Sequence, residues 1–250
     1  MAIDSHMHVN SLVTNNINKT INDVNDNKNI DCVINVGLNI KTSKESIDIS
    51  KNNTKFYSSI GIHPIYIENE NINDLYNLVN DKVVAVGEIG IDTTNNNIRK
   101  QKKYLIKQIA IANELKLPVI IHTNNNKIII EIFKKYIKPK YGCVFHCFKP
   151  DLDDLKYIIN NEYYISFAGR ITYKTANKSI EVAKIVPNDF FIVETDSPYI
   201  SPEPLRNEIN KSENIKYIVQ KLSEIKNINY EEIERITTKN TKTLFKKINN

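Results

Sequence analysis

The chain has 250 residues, 41% of them apolar, with 34 Lys and Arg against 29 Asp and Glu for a net charge of +5; this length buries a sizeable core and excludes disulfide-stapled miniproteins and fibrous chains. Its longest apolar runs are about six residues, far short of the roughly 20 that cross a bilayer, and no charged-then-apolar leader precedes Met1-Ala2-Ile3-Asp4, so a soluble, cytoplasmic chain with no membrane partner is expected. Cys32, Cys143 and Cys147 form an odd set without CxxC spacing and read as reduced thiols, while a pI near 8.8 tolerates a polyanion without demanding one.

Taken in chain order, short β-branched and apolar runs at residues 2–7, 31–37, 55–62, 83–90, 118–123, 141–148, 163–169 and 190–196 predict eight strands. The gaps carry helical spacing, clearest in Leu105, Ile109, Ala112 and Leu115 and again in Leu152, Leu155 and Ile158. Asn clusters at 15–16, 95–97 and 124–126 read as loops, and residues 215–249 as two terminal helices closing the ring. The runs Val83-Val84-Ala85-Val86 and Phe190-Phe191-Ile192-Val193 lack polar alternation, as strands buried on both faces do. Repeated strand-helix-strand units of this kind build an α/β fold, and eight of them close into a (β/α)8 TIM barrel of about 250 residues. A doubly wound open sheet is disfavoured, because the GxGxxG turn is missing from a chain with 6 glycines. No repeat or linker divides the sequence, so residues 1–250 are expected to form a single domain.

All five histidines, His6, His8, His63, His122 and His146, fall at the C-terminal ends of predicted strands, and Glu88 and Asp196 end two more. In a (β/α)8 barrel those ends share one face, where active sites are built. Strand alternation points His6 and His8 the same way, aligns Glu88 with Val84 and Val86, and pairs Asp196 with Glu194. Seven ionisable side chains would be expensive to bury unpaired. Imidazoles and carboxylates converging at one mouth suit Zn2+, Mn2+ or Fe2+ on ligand softness, whereas Mg2+ normally takes more oxygen.

The ordered motifs Asp4-Ser5-His6-Met7-His8, Gly61-Ile62-His63-Pro64, Val86-Gly87-Glu88-Ile89-Gly90-Ile91-Asp92, Ile121-His122, His146-Cys147-Phe148, Ser166-Phe167-Ala168-Gly169 with Thr172-Tyr173-Lys174, and Glu194-Thr195-Asp196-Ser197-Pro198 run nearly end to end. In these the chain resembles the TatD family of metal-dependent deoxyribonucleases, which have amidohydrolase-like barrels. Thr237-Thr238-Lys239-Asn240 with Leu244-Phe245 resembles the family's closing helix. The resemblance implies that His6, His8, Glu88 and Asp196 hold one metal and Glu88, His122 and His146 a second, with Glu88 bridging. It implies hydrolysis of DNA phosphodiester bonds, with single-stranded DNA as partner and 3′-5′ exonuclease action, using Mg2+ or Mn2+, with Zn2+ a further occupant of the site. Two such ions activate a water and clamp the attacking and leaving oxygens. Asp196 is the candidate to orient that water, and His63 to contact the phosphate or leaving group.

Glu194 reads as a residue orienting a ligand histidine. Lys149, Arg170, Lys174 and Arg206 are candidate backbone contacts, and Tyr66 and Tyr199 candidate stacking platforms. Cys147 reads as a buried structural thiol, turned away from the site by alternation. The chain departs from the family pattern at Asn10, where an Asp is common, at Ile65 in place of a second His, at Asn124-Asn125 in place of Arg-Asp, at Lys149-Pro150 in place of Ser-Gly, and at Ser212 in place of Pro; Arg206 and Asn210 fit it. None of these removes an implied metal ligand. Two alternatives stay open: hydrolysis of another ester or amide, such as a D-aminoacyl-tRNA, and a catalytically weakened metal-binding relative.

Overall fold

The computed structural model describes residues 1–10, 16–95 and 97–249. Among these, eight parallel strands pair in sequential order, β1 (Ala2–Met7), β2 (Ile30–Val36), β3 (Phe56–Ile60), β4 (Val83–Ile91), β5 (Val119–Thr123), β6 (Cys143–Phe145), β7 (Tyr164–Phe167) and β8 (Phe191–Val193). All eight expected strands are present, β1 with the expected bounds, β2 shifted one residue earlier, β4 ending one residue later, β5 starting one residue later and the others trimmed by one to three residues at each end. They form the expected nearly closed TIM barrel with helices between the strands. Between β8 and β1 there is no regular ladder, only a parallel bridge from Met7 to Ser197.

Helices α1 (Ile17–Asp26), α2 (Ile40–Asn52), α3 (Ile98–Glu114), α4 (Asn126–Lys135), α5 (Leu152–Asn160), α6 (Asn177–Ile185), α7 (Ile215–Lys226) and α8 (Tyr230–Leu244) surround the strands. The crossover from β3 to β4 departs from the repeat: it is built from 3-10 turns at Pro64–Tyr66 and Ile72–Leu78. Pro64 and a run rich in Asn, a poor helix former, explain why no α-helix forms there. Much of the Asn bias is absorbed at helix starts. Asn16 accepts from Lys19 N at 2.9 Å, Asn39 forms a capping box with Thr42, and Asn229 accepts from Glu232 N at 2.8 Å. The loop reading of the three Asn clusters is thus refined: Asn16, Asn97 and Asn125 occupy N-cap positions and Asn126 lies inside α4, while Asn15 and Asn96 lie outside the described residues.

Alternation divides the core into two layers. Ile3, Ile34, Val84, Ile120, Val144 and Ile192 face the barrel interior. Val86, Ile121, Phe145 and Val193 face outward onto Leu105, Ile109, Leu155 and Ile158. Leu152, expected on the same helical stripe as Leu155, is instead exposed. The chain past α7 does more than close the ring, because Leu244, Phe245 and Ile248 join the inner layer. Phe245 is 0% exposed, so Phe245→Ala is expected to cost about 3–5 kcal/mol, read as a lower urea midpoint with unchanged slope. No helix among the described residues is long and apolar enough to cross a membrane.

Candidate metal centre

The strand ends bring all seven predicted side chains together. His6 lies in β1 and His8 just beyond it; His122 is in β5, pointing inward in the same parity as Ile120. His63, His146 and Asp196 stand one to three residues past β3, β6 and β8. Glu88 reaches the mouth by a different route from the one alternation suggests. Val84 faces the interior but Val86 the outer layer, and the β4–β5 register breaks between Val86 and Ile89, which turns Glu88 inward.

Glu88 is the hub. Its Oε2 lies 3.4 Å from His6 Nε2 and 3.6 Å from His8 Nε2, while its Oε1 lies 2.5 Å from His122 Nδ1, 3.7 Å from His63 Nε2 and 3.8 Å from His146 Nε2. Asp196 Oδ1 lies 3.5 Å from His8 Nε2, 3.9 Å from His6 Nε2 and 4.0 Å from His146 Nε2. Three sets of donor atoms, His6/His8/Glu88, His6/His146/Asp196 and His63/Glu88/His122, each lie within 4.8 Å of one another and could hold a metal ion. His146 sits between the two sides, its ring stacked on His6 with centroids 3.8 Å apart.

Hydrogen bonds sort the histidines chemically. His8 Nδ1 faces the Val36 carbonyl at 3.0 Å, and His146 Nδ1 faces Glu194 Oε1 at 2.9 Å. For His8 the carbonyl at Nδ1 keeps a proton there and directs Nε2 into the cluster, the arrangement found in metal-ligating histidines; the contact of His146 is an ion pair with Glu194. His63 is the reverse: its Nδ1 accepts from Ile65 N at 3.3 Å, so a neutral ring carries its proton on Nε2 and presents a donor to the site. His6 Nδ1 is buried without a hydrogen-bond partner. The buried donor set therefore fits a divalent cation.

Electrostatics agree. Burial would raise Glu88, but His122, His146 and His63 hold it well below the usual carboxylate range. Burial likewise opposes Asp196, which His146 and His8 nonetheless hold low. Burial lowers His6, with His146 adding to the effect, and burial takes His63 down to about 3. For His146 burial is outweighed by Glu194, Glu88 and Asp196, which push it up to about 10. The two carboxylates thus stay ionised, and a bound cation would compete with protons for the same imidazole nitrogens.

Glu194, expected to orient a histidine, does face His146, and is itself held by the Cys147 N–H at 2.7 Å. Cys147 is not placed by alternation, since β6 ends at Phe145; it sits half-buried in a turn with φ 44°. Burial raises the thiols of Cys147 and Cys143 and pushes Cys32 up to about 12. All three cysteines should therefore react slowly with an aromatic disulfide reagent at neutral pH in the folded protein and rapidly in urea.

Two of the altered residues, Asn124 and Asn10, are tied in by hydrogen bonds. Asn124 Nδ2 donates to Asp92 Oδ1 at 2.8 Å and its Oδ1 accepts from Thr93 N at 3.0 Å, joining the loops after β4 and β5. Asn10 bridges Asn35 and Glu45. Of the rim cations, Arg206 lies over the Tyr173 ring at 4.2 Å. Tyr66 and Tyr199 are exposed beside His63 and His8, with ring centroids 6.3 and 6.1 Å away. Two residues carried no role in the sequence reading although both lie in its motifs: Asp92, whose Oδ2 is 3.9 Å from His122 Nε2, and the fully buried Asp4. Asp4 shares sequence parity with His6 and His8, which was the available signal.

A family model described as TatD related DNase matches residues 3–246. An uncharacterized metal-dependent hydrolase of Buchnera aphidicola subsp. Baizongia pistaciae is 37% identical over 254 residues, covering 97% of this chain and 95% of its own. The uncharacterized metal-dependent hydrolase YabD of Bacillus subtilis is 31% identical over 253 residues, covering 98% of this chain and 99% of its own. Among solved structures, YJJV, a TatD homologue from Escherichia coli K12, shares the fold with a TM-score of 0.90 over 98% of both chains at 24% identity. With its histidines and carboxylates gathered at the barrel mouth, the chain belongs to the TatD-related family of metal-dependent hydrolases.

Proposed function

We propose that this hydrolase is a deoxyribonuclease whose cluster holds two divalent cations, one by His6, His8, Glu88 and Asp196 and one by Glu88, His122 and His146, and that it removes nucleotides from single-stranded DNA in the 3′-5′ direction. The observation that carries this reading is the division of Glu88, whose two carboxylate oxygens face different sets of imidazoles, as a bridging ligand must. When bound, such a pair of ions lowers the pKa of a water and neutralises charge on the phosphate oxygens; Mg2+ or Mn2+ is the working choice, with Zn2+ favoured by the imidazole-rich donor set.

The chain's own groups supply the rest. Asp196, an ionised carboxylate facing His8, His6 and His146, orients the attacking water and accepts its proton. His63 offers an N–H at Nε2, suited to donate to a phosphate oxygen or to the departing 3′ oxygen. Tyr66 and Tyr199 flank the mouth as exposed rings on which unpaired bases stack. Asn124, where the family pattern has a charged residue, is bonded to Asp92 and Thr93.

The test is a product ladder from 5′-labelled and 3′-labelled single-stranded oligonucleotides with Mg2+, Mn2+ or Zn2+. Stepwise shortening from the 3′ end, lost in Asp196→Asn, is expected. Cleavage of a D-aminoacyl-tRNA ester with intact DNA would assign the other hydrolase reading. Cation binding with no turnover of any ester would identify a weakened relative.

A further inference from the structure

The ligand cluster is assembled across the one junction of the barrel that has no ladder. Segment 193–197 is laced onto segment 4–8 by individual bonds: Ser5 Oγ donates to Val193 O at 2.9 Å, Asp196 N to His6 O at 2.9 Å and His8 N to Ser197 O at 2.7 Å. At the centre lies Asp4, 0% exposed, whose two oxygens both serve Thr195. Oδ1 accepts from Thr195 N at 2.8 Å and Oδ2 from Thr195 Oγ1 at 2.6 Å. The same hydroxyl oxygen accepts from Ser197 N at 3.1 Å, so the Asp4–Thr195 pair grips the backbone on both sides of Asp196. Asp196 has φ 55°, in the left-handed region that Asp adopts as a single residue where local hydrogen bonds hold it.

We propose that Asp4 is a positioning residue for Asp196. By holding Thr195 through both oxygens it keeps Asp196 left-handed and its carboxylate 3.5 Å from His8 Nε2 and 3.9 Å from His6 Nε2. The inference rests on reading these three residues as cation ligands. An Asn at position 4 replaces the bond from the Thr195 hydroxyl to a carboxylate oxygen with a weaker neutral one, in which its NH2 donates to that hydroxyl, so the grip on Thr195 loosens.

The test titrates Mn2+ calorimetrically into the wild type, Asp4→Asn, Thr195→Val and Thr195→Ser, with kcat and KM measured on the cleaved substrate and urea unfolding of the metal-free proteins alongside. Asp4→Asn and Thr195→Val are expected to weaken Mn2+ binding tenfold to a hundredfold and to lower kcat with KM within about twofold, while Thr195→Ser, which keeps the hydroxyl, restores what Thr195→Val loses. Wild-type Mn2+ affinity and kcat in both Asp4→Asn and Thr195→Val, whatever their urea midpoints, would overturn the inference. If Asp4→Asn does not fold, Thr195→Val against Thr195→Ser decides alone. Absence of Mn2+ uptake by the wild type would instead strike the ligand assignment itself, and the inference with it.

Discussion

Replacing Glu88 with Gln is expected to abolish Mn2+ uptake by the cluster and to lower kcat/KM by roughly a thousandfold, about 4 kcal/mol. The substitution is nearly isosteric, yet it leaves a single acceptor oxygen where two carboxylate oxygens now face His6 and His8 on one side and His122, His63 and His146 on the other. An amide nitrogen is a poor ligand and would meet the imidazole donors with hydrogens. Removing the charge also removes one of the three carboxylates that hold His146 protonated in the metal-free protein. Cation binding stabilises a fold by RT ln(1 + [L]/Kd), about 2.7 kcal/mol at a hundred times Kd. Thermal unfolding with and without Mn2+ therefore gives a second readout: the wild-type midpoint should rise with Mn2+ and fall on chelation, and that of Glu88→Gln should respond to neither. An equal Mn2+ shift in both proteins would remove Glu88 from the ligand set.

Gly90→Ala is expected to be the most damaging small substitution near the site. A Cβ at Gly90 would lie 1.8 Å from the carbonyl oxygen of its partner His122 on β5, and 2.7 Å from that carbonyl carbon. No side-chain rotation relieves a clash with backbone, so the two central strands must separate where they carry Glu88 and His122. A cost of about 4 kcal/mol or more is expected, together with loss of the His122–Glu88 contact. Urea unfolding and Mn2+ titration together check this: a midpoint near wild type with normal Mn2+ affinity would show that the strands can shift freely, which their burial on both faces argues against.

The barrel was legible because its signal is local and repeated. Strands buried on both faces carry continuous apolar runs, and eight of them punctuated by polar helical stretches allow few architectures. The departures came from residues whose neighbours are distant in sequence. Alternation aligned Glu88 with Val86, but the register break after Val86 turns them to opposite layers. Alternation also placed Cys147, although β6 had already ended at Phe145. Leu152 lies at helical spacing from Leu155, yet at the helix start it projects past the partner surface into solvent.

The sequence by itself determined which side chains could form the centre: five histidines and two carboxylates at strand ends, all of which meet at the mouth. Only the tertiary structure decided how they divide. Which oxygen of Glu88 faces which imidazole, which nitrogen of His63 carries the proton, and that Asp4 holds Thr195 across the β8–β1 junction all depend on contacts spanning as many as 191 positions. The physical reason is that periodicity reports the direction a side chain takes from its own strand, whereas tautomers, hydrogen-bond partners and charge balance are properties of the groups it meets there.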